Sequence, residues 1–94
     1  MNVHVYDTHV RTTTGSYLHF DVFVDDLHKK KVKKFAQDHL AKLGITPDEL
    51  ELNSCQFCHN EIANPEIRAV IERQGHYILQ LESTYKAKND KTYP

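Results

Sequence analysis

Eight residues constrain this chain more than any others: Tyr17-Leu18-His19-Phe20-Asp21-Val22-Phe23-Val24. In an extended strand, Leu18, Phe20, Val22 and Val24 share one face, while Tyr17, His19, Asp21 and Phe23 share the other. A strand with one wholly apolar face has to bury it against a second layer, so the fold must contain a covered sheet. Val3 to Val10 alternates in the same way, with Val3 and Val5 on one face and His4, Tyr6 and Thr8 on the other. Between the two, Thr12 to Ser16 carries Gly15 and reads as a hairpin loop.

Helices follow. Asp25 and Asp26 offer a cap, and Val32, Phe35, Ala36, Leu40 and Leu43 recur at helical spacing between about His28 and Leu43, before a stop at Gly44. Thr46-Pro47-Asp48-Glu49 has the form of a capping box on a short turn. Leu50 to Ser54 is expected to be a short third strand. Asn64-Pro65-Glu66 opens a second helix with Ile67, Val70 and Ile71 on its buried stripe and Gly75 at its end. A last strand, His76 to Glu82, places Tyr77, Leu79 and Leu81 toward the core. The order β-β-α-β-α-β implies an α/β (α+β) two-layer sandwich: a mixed four-stranded sheet with both helices on the face bearing Leu18, Phe20, Leu79 and Leu81. The other face would then gather His4, Tyr6, His19 and Asp21.

At 94 residues, 39% hydrophobic and 27% charged, the chain has the balance of one globular domain. That domain is expected over residues 1–82, with a polar, disordered tail over 83–94. No stretch has the form of a secretory signal or a membrane span, which points to a cytoplasmic protein with reduced thiols. A net charge of -1 gives no general reason for nucleic-acid binding. The local exception is His28-Lys29-Lys30-Lys31-Val32-Lys33-Lys34, where Lys30, Lys31 and Lys34 can share a helix face. Without interleaved aromatic residues the run reads as a solvated face more readily than as a nucleic-acid contact.

Three short motifs occur in order: His4-Val5-Tyr6-Asp7-Thr8, His19-Phe20-Asp21-Val22-Phe23 and Cys55-Gln56-Phe57-Cys58-His59. Together they resemble a family of small bacterial proteins, domain of unknown function two-thousand-twenty-four, over Met1 to Glu82. The resemblance implies a soluble single-domain α/β protein and no particular activity.

CQFCH contains the chain's two cysteines. The C-x-x-C-H spacing is that of covalent haem attachment, but no export signal accompanies it, and the single methionine, Met1, is a poor distal ligand. Zinc fits better. Cys55 and Cys58 could chelate one ion if a tight turn brought both sulfurs to one side, with His59 as third ligand and His76, His19 or His4 as fourth. Thiol redox chemistry wants the first cysteine at a helix N-terminus, whereas the expected cap is Asn64. Two reduced cysteines packed around Phe57 and Ile62 need no chemistry at all. On the polar sheet face, His19 beside Asp21 has the form of an oriented general base, with Tyr6 able to supply a proton. The leading expectation is a binding module that takes zinc through Cys55, Cys58 and His59. A thiol redox protein or a small-ligand enzyme using His19 and Asp21 comes next, and then an assembly domain pairing with its own kind through a free strand edge.

Overall fold

A computed structural model describes residues 1–84. The sheet has four strands: β1 (Asn2–Thr12), β2 (Tyr17–Val24), β3 (Leu50–Ile62) and β4 (His76–Ser83). A 3-10 turn over Asp26–Lys31 leads into α1 (Val32–Lys42), and α2 (Pro65–Gln74) joins β3 to β4. The α+β class and the element order are as expected.

The local signals act as read. The Asp25 carboxylate accepts from the His28 N–H at 3.1 Å. Glu49 accepts from the Thr46 N–H at 3.2 Å and from its hydroxyl at 2.9 Å. The Asn64 side chain accepts from the Ile67 N–H at 2.8 Å, with Pro65 in the first turn. Gly75 closes α2 with a φ of 90°, and a Cβ there would also meet the His28 ring at 3.2 Å.

The topology departs from expectation in three ways. The sheet is not mixed. Its order is β3-β1-β2-β4, and each neighbouring pair is antiparallel. The first helical connection crosses over β1 and joins β2 to β3, which run parallel with β1 between them; the second joins the two edge strands, β3 and β4, which run antiparallel. Second, the helices do not share a face. Val32, Ala36 and Leu40 of α1 pack on Val10, Leu18, Phe20, Val22 and Val24, whereas Ile71 of α2 packs on Val3, Val5 and Phe23. Since Val5 pairs with Phe23 and Tyr6 with Val22, these two sets lie on opposite faces. The molecule is therefore layered helix, sheet, helix. Third, β4 is turned relative to the expected pattern. Ile78 joins the α1 core, while Leu79, opposite Asp21, and Leu81 are exposed.

The hairpin register sets these faces. The Thr12 N–H donates to the Ser16 carbonyl at 2.9 Å, which leaves a three-residue loop, Thr13-Thr14-Gly15, with Gly15 at a φ of 89°. An odd loop puts residues of like parity opposite one another, as in Asp7 with Asp21 and His9 with His19.

The histidine-rich composition has a partly structural explanation. His39 meets Phe20 edge-on at 4.7 Å, and His76 stacks on Phe35 at 4.1 Å. Burial pushes both imidazoles below the ordinary histidine range. Ser83 and Thr84, expected in the tail, are ordered: the Tyr17 N–H donates to the Thr84 hydroxyl at 2.8 Å. The rest of the expected disordered tail lies outside the described residues.

Candidate functional site

α2 covers only one end of its sheet face. The other end is polar and carries Asp7 and His9 from β1 with Tyr17, His19 and Asp21 from β2. The His9 Nε2–H donates to Asp7 Oδ2 at 2.8 Å, and the His19 Nε2–H donates to Asp7 Oδ1. The Tyr17 hydroxyl lies 2.5 Å from His9 Nδ1 and completes a chain from phenol to imidazole to carboxylate. The two imidazoles stack 4.1 Å apart and 14° from parallel, as the cross-strand pairing of His9 with His19 requires.

One ligand atom each from Asp7, His9 and His19 lies within 4.8 Å of the others. Among the described residues no other set of three histidine, cysteine or acidic side chains gathers this closely. Their side chains are 32%, 35% and 25% exposed, so the cluster is held by the sheet and still open to a ligand.

The two carboxylates are pushed apart electrostatically. Burial would raise Asp7, but hydrogen bonds from His19 and His9 and their charge outweigh it, and its carboxyl sits below the usual range. Asp21 is raised, first by burial and then by repulsion from Asp7. An acid raised on folding favours the folded state while protonated, and that advantage disappears as pH climbs from the unfolded value through the folded one. Asp21→Asn should therefore raise the melting temperature at pH 7 and leave it nearly unchanged at pH 3; equal shifts at both would contradict this assignment. Asp7 has the opposite sign: its contribution is present at neutral pH and is lost as pH falls through the carboxylate range.

The residues of the expected ligand face are divided between the two sides of the sheet. His19 and Asp21 belong to the cluster, while His4 and Tyr6 lie on the α1 face of the sheet. There the His4 Nε2–H donates to Asp26 at 2.5 Å, which holds that carboxyl below its usual range, and Tyr6 meets Phe57 edge-on at 5.6 Å. Asp7, His9 and Tyr17 were missed. Asp7 lies on the side of the sheet opposite to His4 and Tyr6, and the signal that places it beside His19 is the odd-length loop ending in Gly15.

CQFCH is not a turn before α2. It lies inside β3, a 13-residue strand where only Leu50 to Ser54 was expected. Cys55 stands opposite Thr8, whose hydroxyl donates to its sulfur at 3.4 Å. A bulge at Cys58 separates Phe57, opposite Tyr6, from His59, opposite Val5. The Cys58 sulfur and His59 Nδ1 are 3.3 Å apart at an exposed position. Extended backbone puts residues three apart about 10 Å from one another, whereas thiolates sharing one zinc need about 4 Å. The strand therefore does not supply the tight turn that the CQFCH zinc expectation required.

A family model, domain of unknown function (DUF2024), matches residues 1–81. The chain belongs to this family. A solved relative, the NMR structure of protein NE1680 from Nitrosomonas europaea, is 38% identical, covering 87% of this chain and 96% of that one with a TM-score of 0.68. No curated protein matches the chain. Among the described residues no helix is long and apolar enough to cross a membrane.

Proposed function

We propose that this member of the DUF2024 family is a small binding module that takes a divalent transition metal, zinc first among them, through Asp7, His9 and His19. The observation carrying this reading is the convergence of two imidazoles and one carboxylate on an open sheet face. Two nitrogens and one oxygen suit zinc, and leave a position for water or a further ligand. An ion would take the Nε2 position that now faces Asp7 on each ring, leaving the ring proton on Nδ1. Tyr17 would then hold the His9 ring from its other nitrogen, and Asp21 would add negative charge beside the ion. A cation there would also relieve the repulsion between Asp7 and Asp21.

Titration calorimetry with zinc on untagged, reduced protein tests the proposal. The expected result is one ion per chain, with affinity roughly tenfold lower in Tyr17→Phe, where only the ring support is removed. Absence of saturable binding, or full affinity in Tyr17→Phe, would count against this arrangement. The reading places the protein in a reducing compartment, with Cys55 and Cys58 as thiols outside the metal site.

A further inference from the structure

A second feature lies on the opposite side of the sheet. α1 packs over β2 and the centre of the sheet and leaves the inner surface of β3 only partly covered, with Leu50 and Cys55 packed against the core. The resulting groove has two connected parts. One, of about 410 Å³, lies between Lys33 and Gln37 of α1 and Asn53, Ser54 and Cys55 of β3. The other, of about 350 Å³, lies between Tyr6 and the lysines Lys29, Lys30 and Lys33. Lys33 and Cys55 border both parts. Each volume is within the range of small-ligand clefts.

We infer that this groove is a binding site for a small anion of the phosphate-ester class, with Lys29, Lys30 and Lys33 neutralising its charge above the Cys55 thiol. No carboxylate lines either part of the groove. Lys29 reaches Asp26 only at 3.9 Å, and that carboxylate is already engaged by His4. Among the described residues, Lys30 and Lys33 form no ion pair. Spacings of three and four residues put Lys29 and Lys30 on the same side as Lys33. These cations stand at the N-terminal end of α1, where the helix dipole opposes positive charge, so helix stability does not account for them. An anion would offset this repulsion, while the Asn53 and Gln37 amides and the Ser54 hydroxyl offer hydrogen bonds to its oxygens. The lysine run thereby gains a role that a solvated face does not give it.

The test uses metal-free full-length protein and inorganic pyrophosphate as the probe, read by amide chemical shifts and by the alkylation rate of Cys55 in a Cys58→Ser background. Saturable shifts confined to residues 29–33 and 53–56, several-fold slower alkylation, and about tenfold weaker binding in the Lys30→Gln/Lys33→Gln variant are expected. Lys31→Gln/Lys34→Gln removes the same charge outside the groove and should bind within about twofold of the parent. Equal losses in the two variants, no saturation, or binding of mixed-sequence RNA that pyrophosphate does not displace would each overturn the inference. Zinc plays no part in this experiment and its site is on the other face, so the two readings fail independently.

Discussion

Phe20→Ala is expected to cost the fold about 3–5 kcal/mol, the range for truncating a fully buried phenylalanine. Phe20 has no solvent exposure and forms the floor on which α1 sits, with His39 edge-on to its ring. Domains of this size are held by about 5–15 kcal/mol, so the variant would lose about a fifth of its stability or more. Urea unfolding should show a lower midpoint with an unchanged slope. A loss below about 1 kcal/mol would mean that α1 does not cover this face. Ile71, 1% exposed beneath α2, is the corresponding position on the other side, where truncation to alanine should cost about 2–5 kcal/mol.

His19→Ala should have the largest effect on metal binding. Removing groups that merely orient a ligand costs 10–100-fold, so loss of a ligand itself should weaken zinc binding by about a hundredfold or more. Cys55→Ser and Cys58→Ser should bind as the parent does. The same His19→Ala chain should fold normally, since its side chain is 25% exposed and outside both apolar clusters. An unchanged zinc affinity in a folded His19→Ala protein would move the site elsewhere.

What was legible in the residues is what local chemistry decides. β2 was readable to the residue because apolar and polar side chains alternate across a half-buried strand. The Asp25, Thr46 and Asn64 caps and the Gly75 stop were readable because each satisfies a backbone group within a few residues. β3 was not. It is a sheet edge, and Asn53, Gln56, Asn60 and Glu61 are exposed, so no alternation marks a strand and the sequence resembles a loop. The two-sided helix packing depends on which sheet edge each connection reaches, and periodicity carries no information about that. The site was half legible for one physical reason. Pairing His4 and Tyr6 with His19 and Asp21 assumes an even-length loop, and a change of one residue exchanges every side chain between faces. Once Thr13-Thr14-Gly15 is counted as an odd loop, Asp7 and His9 are the residues that meet His19.

In the proposed site nitrogen and oxygen ligands from the hairpin, and not the CQFCH thiols, would hold the metal. The electronic spectrum of the cobalt(II)-loaded protein separates the two directly, because cobalt fills zinc sites and a thiolate ligand announces itself by an intense sulfur-to-metal charge-transfer band in the near ultraviolet. The prediction is saturable ligand-field bands at one cobalt per chain with no charge-transfer band, lost in His19→Ala and retained in Cys55→Ser and Cys58→Ser. A strong charge-transfer band that disappears in the cysteine variants, with His19→Ala unaffected, would contradict the claim and return the metal to β3.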